Sequence, residues 1–271
     1  MKNKEIKKAV RERYAKTVTR SSSCCGPVQT SSCCGSVSSD AKSRTMGYTD
    51  EDLKSVPEGA NLALGCGNPV AIASLQEGET VLDLGSGAGF DCFLAAKKVG
   101  DTGYVIGVDM TPEMIDKARE NADKGNYRNV DFRLGEIEHL PAADNSVDVV
   151  ISNCVINLSV DKGKVIREAY RVLKPGGRIA ISDLALLKEL PEAIRNSIDA
   201  YTGCIGGAIL LDDYKRYVEE AGFRETKFTV KRASDYDADS REVIEKSMEQ
   251  LPQDARSLTD YVVSVYIEGT K

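Results

Sequence analysis

Three isolated cysteines in this sequence have the character of ligands. Cys66 lies in LGCGNP, Cys154 in SNCVINL and Cys204 in YTGCIGGA. Glycines beside Cys66 and Cys204 free both backbones to turn toward a bound group. Cys154 directly follows a stretch that reads as a β-strand. Pro69 opens a short helix whose N-terminus is expected to favour the Cys66 thiolate. Single thiols from distant segments suit a trigonal thiolate site better than the paired Cys-x-x-Cys knuckles of structural zinc. Soft ligands select soft ions, and such an ion serves as well for a substrate as for a resident cofactor. No permanent metal is expected.

The other cysteines read differently. Cys92, among Phe90, Phe93 and Leu94, is a small buried apolar residue. Cys24-Cys25 and Cys33-Cys34 are vicinal pairs in a Ser-Ser-Cys-Cys-Gly run at 22–26 that recurs at 31–35. Such pairs are either dispensable thiols or dithiols for exchange. The chain holds one histidine, His139, which nearly excludes an imidazole base or a metal site built from several histidines.

A second constellation is VLDLGSGAGFD at 81–91. Gly85, Gly87 and Gly89 let the chain turn from a strand into a helix and approach a ligand closely. By itself such a loop fits NAD, a flavin or S-adenosylmethionine. Asp109, at the end of the next strand and followed by Met110, is placed to accept both hydroxyls of a ribose. Asp83, two residues before Gly85, would repel a pyrophosphate but suits the cationic amino-acid end of S-adenosylmethionine. The methyl donor is therefore the favoured ligand, with Ser86 and Asp91 in the same loop and helix start.

The elements that hold these residues alternate. Strands are expected at 79–84, 104–110, 129–135, 147–153 and 178–183, the last entered through a Pro175-Gly176-Gly177 turn. Helices are expected at 90–100, 112–124 and 162–174. This order implies right-handed crossovers and a doubly wound, mainly parallel sheet of the α/β class. Ahead of it, Ile6, Val10, Tyr14 and Val18 form one stripe of a helix over 4–19. The Ser-rich stretch 20–45 builds no core of its own. Thr49 with Asp52 opens a short helix, and Asn68-Pro69 opens another, running to about Leu75. Behind the sheet come helices near 191–201 and 212–221, a strand at 224–231, a polar helical stretch at about 240–249, and a strand at 260–268 expected at the sheet edge. The division is an N-terminal helix and Cys/Ser-rich arm (1–48), a donor-binding domain (49–188) and a C-terminal α+β extension that binds substrate (189–271).

Composition narrows the function. Lys plus Arg is 36 and Asp plus Glu is 42, a net charge of −6 with no basic block, which argues against gripping nucleic acid. No apolar run approaches the ~20 residues of a membrane span, and the charged N-terminus does not read as a signal peptide. A cytoplasmic protein is expected.

The glycine loop and its acids resemble the Rossmann-like class I S-adenosylmethionine methyltransferases. That resemblance places Gly135-Glu136-Ile137 against the adenine and Asn153 beside the donor. The combination of GANLALGCGNP, VLDLGSGAGFDC, VIGVDMTPEMI, ISNCVINL, RVLKPGGRIAISD and YTGCIGGA is more specific, and resembles the arsenite S-adenosylmethionine methyltransferases over roughly 46–230. It implies that Cys66, Cys154 and Cys204 bind As(III) as substrate. It also implies that a cysteine near the N-terminus joins the redox steps, for which Cys24, Cys25, Cys33 and Cys34 are candidates. The implied partners are arsenite or its glutathione conjugate and a thiol reductant such as thioredoxin or glutathione. Two other readings stay open: a methyltransferase of the same fold acting on a quinone- or sterol-like acceptor, and a thiol-rich metal-binding protein.

Overall fold

The computed structural model describes residues 3–21, 38–190, 192–195, 198–232 and 261–271. Cys24, Cys25, Cys33, Cys34 and the stretch 240–249 lie outside the described residues.

Runs of Val, Ile and Leu form the central strands: β1 (Thr80–Leu84), β2 (Tyr104–Asp109), β3 (Val130–Leu134), β4 (Val147–Asn153) and β5 (Leu173–Leu186). With β6 (Arg224–Lys231) and β7 (Val262–Thr270) they make one sheet, in the order β3-β2-β1-β4-β5-β7-β6. The first five pair in parallel and β7 runs antiparallel to both its neighbours. Strands covered on both faces read as near-continuous apolar runs, as they do here.

Helices α5 (Phe90–Val99) and α6 (Pro112–Lys124) supply Phe93, Leu94, Ile115 and Ala118 to one apolar layer. Helices α7 (Lys162–Val172) and α10 (Leu211–Glu220) supply Val165, Ile166, Tyr214 and Val218 to the other. The doubly wound α/β fold is therefore present. Its strand order reverses between β1 and β4, which opens a crevice beyond the carboxyl ends of those two strands.

Smaller elements frame that crevice. They are α1 (Asn3–Ser21), α2 (Ser39–Thr45), α3 (Asp50–Ser55), α4 (Pro69–Ile72), a 3-10 turn (Ile156–Leu158), α8 (Glu192–Arg195) and α9 (Ile198–Thr202). Thr49 and Asp52 form the expected reciprocal cap on α3. Asn68 caps α4, which ends at Ile72, short of Leu75. Helix α2, capped by Ser38, is absent from the sequence reading, because a seven-residue polar helix has no apolar stripe to betray it.

Two expectations are corrected. The last strand is not at the sheet edge. It inserts between β5 and β6, burying Val263, Val265 and Ile267, and leaves β6 as the edge. Pro175-Gly176-Gly177 is not a turn ahead of a strand but a bulge inside β5. Val147 pairs with Leu173 and Val149 with Arg178, so the four residues 174–177 stand opposite Asp148 alone. Gly176, at φ +79°, and Gly177 exchange backbone hydrogen bonds with Lys271. The segment read as one helix over 191–201 contains α8 and α9, with 191, 196 and 197 outside the described residues.

Candidate active site

The crevice holds two adjoining constellations. In the first, the glycine loop joins β1 to α5. Gly85 sits at φ +68° and Gly87 at φ +51°, conformations that glycine adopts without strain. A Cβ on Gly85 would stand 2.4 Å from Val155, so the loop can pass there only as glycine. Gly89 serves differently. A Cβ there would meet Phe93 and Phe132, so this glycine lets α5 seat against the sheet and is not part of the cleft wall.

Asp109 braces the loop. Its carboxylate accepts the Gly87 amide at 3.0 Å and the Thr111 amide at 2.8 Å. Asp83 is buried and accepts the Cys92 thiol at 3.2 Å. Cys92, read as an apolar filler, is fully buried and also makes this polar contact. Asp91 accepts the Tyr48 hydroxyl at 2.6 Å and the Asn153 amide at 3.0 Å. Asp83, Asp91 and Asp109 thus line one cleft.

Burial raises all three carboxyls. Asp83 is pushed well above the usual range, first by burial and then by Asp91, and Asp91 reaches about 6 despite Tyr48 and Asn153. Three carboxyls held this way suit a ligand carrying positive charge. Ser86 Oγ, in the same loop, is buried without a hydrogen-bond partner. Met110 and Ile137 line the cleft, whereas Glu136 is half-exposed and pairs with Lys7 of α1 at 2.7 Å.

The second constellation contains the three isolated cysteines. Cys154 is buried, lines the same cleft as Asp83 and Asp91, and faces both Cys66 and Cys204. The Cys204 thiol donates to the Cys154 carbonyl at 3.2 Å and lies 3.8 Å from the Tyr14 hydroxyl. The Cys66 thiol donates to the Ser182 carbonyl at 3.7 Å. The three pack in one cluster with Val10, Leu158 and Tyr201. Cys154 (φ +58°) and Cys204 (φ +66°) both adopt left-handed backbone, a region that non-glycine residues enter at a cost.

The expected thiolate at Cys66 is corrected. Burial raises its thiol, and the pull of Cys154 and Ser182 does not reverse this. Helix α4 has four residues, too few for a strong terminal field. For Cys154, Cys204 pulls the thiol down, but Cys66 and burial outweigh it; Cys204 is raised by Cys154 and by burial. An electrophilic ion bound here would have to displace the thiol protons.

Asn153 joins the two halves. Its amide N–H groups reach Tyr48, the Gly67 carbonyl and Asp91, while its carbonyl accepts the Cys66 amide at 3.0 Å. Strand β7 steadies the same loop, because the Ser264 hydroxyl donates to the Cys66 carbonyl and the Tyr266 hydroxyl accepts the Asn68 amide. Tyr14, read only as part of the α1 stripe, Tyr48 and Asp183 escaped the sequence reading as site residues. Asp183 alone left a signal, an acid at the end of a strand buried on both faces.

A family model described as a methyltransferase domain matches residues 75–222. A Halobacterium salinarum protein named arsenite methyltransferase is 49% identical over 98% of this chain, which spans 67% of that protein. The chain belongs to the arsenite methyltransferase family. The human member is 40% identical over 64% of this chain, which covers 48% of the human protein. An arsenic(III) S-adenosylmethionine methyltransferase from Chlamydomonas reinhardtii superposes with a TM-score of 0.61 at 33% identity, over 88% of this chain and 75% of that one.

For a member of this family the cleft carboxyls set a pH dependence. S-adenosylmethionine carries positive charge at its sulfonium and ammonium groups, so bound in this cleft it would favour ionised Asp91. Below about 6 the Asp91 proton must leave on binding. Affinity measured by calorimetry is expected to be roughly tenfold weaker at pH 5 than at pH 7.5. In the unliganded chain the sign is opposite. A raised carboxyl stabilises the fold below its unfolded value, and that contribution fades as pH rises through about 6.

Proposed function

We propose that this chain transfers a methyl group from S-adenosylmethionine to trivalent arsenic held by Cys66, Cys154 and Cys204. One observation carries the reading: Cys154 belongs both to the wall of the donor cleft and to the cysteine cluster. When bound, the donor supplies a methyl group on a positively charged sulfur. Asp83, Asp91 and the glycine loop would hold its amino-acid end, and Asp109 its ribose.

Three thiolates would hold arsenic as a trigonal pyramid, leaving its lone pair to attack. Arsenic has no proton to lose, so no general base is needed, in keeping with a single histidine. Positioning is then the main lever, worth ~7–11 kcal/mol for well-oriented reactants. The new As–C bond uses the arsenic lone pair, which takes arsenic formally to the pentavalent state. Two thiols closing to a disulfide return two electrons and release two protons. An external thiol such as glutathione or thioredoxin then reopens the disulfide.

Cys24, Cys25, Cys33 and Cys34 are assigned to this exchange, and arsenite is presented as its glutathione conjugate. A cytoplasmic setting agrees with free thiols. No helix among the described residues is long and apolar enough to cross a membrane. The deciding experiment incubates the purified protein with arsenite, a thiol and S-adenosylmethionine, and follows arsenic by mass spectrometry. Methylated arsenic is expected. Turnover of the donor on a quinone with no methylated arsenic would transfer the assignment to an organic acceptor.

Two variants probe the parts. Asp109→Ala removes the brace on Gly87 together with the ribose acceptor. Charged hydrogen bonds are worth ~1.5–3 kcal/mol, so donor affinity should fall more than about tenfold by calorimetry. Replacing Cys24, Cys25, Cys33 and Cys34 together by Ser should suppress arsenite methylation and leave donor affinity unchanged. Full arsenite turnover in that variant would release these four from the redox role.

A further inference from the structure

Asp183 is a buried carboxylate beside the cysteine cluster, and arsenic held by three sulfurs would not use it. It is fully buried in β5. One of its oxygens accepts the Asn157 amide at 2.9 Å and the Leu184 amide at 2.8 Å, and the other accepts the Tyr214 hydroxyl at 3.1 Å. A carboxylate oxygen of Asp183, Cys66 Sγ and Cys154 Sγ lie within 4.8 Å of one another. Among the described residues this is the one such group of three potential metal ligands.

We propose that Cys66, Cys154 and Asp183 form a site for a thiophilic divalent cation with a filled d shell, of the zinc and cadmium kind, which blocks the enzyme by occupying the arsenic position. Such a cation prefers four tetrahedral ligands, with thiolate sulfur at ~2.3 Å and carboxylate oxygen at ~2.0–2.2 Å for zinc. Ligand atoms around it stand roughly 3.5 Å apart, so the group closes with small side-chain movements. Cys204, bonded to the Cys154 carbonyl, is at hand for the fourth corner.

The two ions use the pocket differently. Arsenic makes three bonds to sulfur, keeps a lone pair and leaves the carboxylate out. The divalent cation recruits the carboxylate and has no lone pair to offer a methyl group. Its complex is therefore a dead end, although the donor cleft stays free. Binding breaks the S–H bond of each ligating cysteine and passes those protons to solvent, and no electrons are exchanged. The blocking of methylation rests on the arsenic assignment above; the cation site itself does not.

The test uses the full chain with Cys24, Cys25, Cys33 and Cys34 replaced by Ser, titrated with cadmium chloride. One cadmium ion per chain is expected, with an ultraviolet thiolate-to-cadmium band and release of protons. Adding Asp183→Asn, which keeps the side-chain shape but not the charge, should weaken cadmium binding about tenfold or more. Arsenite affinity should stay within about threefold, because arsenic does not use the carboxylate.

Equal cadmium affinity in the two chains, or a parallel loss for both ions, overturns the proposal. Should the Asn variant unfold, X-ray absorption at cadmium in the Asp183 chain decides instead. A mixed sulfur and oxygen shell is expected, and a shell of sulfur alone overturns it. If arsenite fails to bind while cadmium still distinguishes Asp from Asn, the arsenic assignment falls and the cation site stands.

Discussion

Cys154→Ser is expected to abolish arsenite methylation while S-adenosylmethionine still binds. Cys154 is the junction of the crevice, lining the cleft with Asp83 and Asp91 and facing both other cysteines. A serine hydroxyl is too weak an acid to be deprotonated there, and oxygen is a poor partner for a soft ion. Held as proposed, the arsenic would keep two thiolates and lose the bond nearest the donor. Forfeiting even part of the ~7–11 kcal/mol available from positioning costs heavily, and a loss of roughly 4 kcal/mol is a thousandfold in rate.

Cys204→Ser should behave alike. Cys66→Ser should spare more activity on monomethylated arsenic, in which a methyl group already fills one valence. The measurement is turnover by mass spectrometry beside donor affinity by calorimetry. Methylation within about tenfold of the parent rate would remove Cys154 from the arsenic.

The half of the crevice built on the glycine loop was legible because its signals are local. Gly85, Gly87 and Asp83 fall within five residues, and Asp109 follows at the distance that one helix and one strand impose. The isolated cysteines were legible as types, and their glycine neighbours marked loops. What joins the halves was not. Tyr48 meets Asp91 across 43 residues, and Asn153 meets the Cys66 amide across 87. Neither carries a periodic signal, since each contact exists only once β1 and β4 lie side by side. The left-handed backbone of Cys154 and Cys204 was equally hidden, because turn rules expect glycine at such φ. The position of β7 turned on pairing rather than composition, as the same apolar run would suit an edge or an interior strand.

Val10→Asp is expected to lower methylation about a hundredfold while the rest of the fold keeps its melting temperature. Helix α1 is a wall of both constellations. Val10 is 1% exposed and packs with Cys154, Leu158, Tyr201 and Cys204. Lys7 reaches Glu136 and Glu138, Arg13 donates to Thr202, and Tyr14 stands beside Cys204. The half-exposed Lys7–Glu136 pair contributes ~0–1 kcal/mol, and Lys7–Glu138 sets its attraction against the cost of burying Glu138, so the apolar stripe is the main anchor. A carboxylate at Val10 is too short to reach water, and burying it costs several kcal/mol. Unseating the helix relieves that cost. None of the α1 residues belongs to the two apolar layers on the sheet, so those layers stay intact. The open wall admits water to the cysteines and loosens the donor, and a hundredfold loss corresponds to about 2.7 kcal/mol of lost positioning. Turnover, donor affinity and the thermal midpoint, measured on one preparation, check the claim. A parental rate would show that α1 covers the site without serving it, and a midpoint falling with activity would show that α1 belongs to the fold's core.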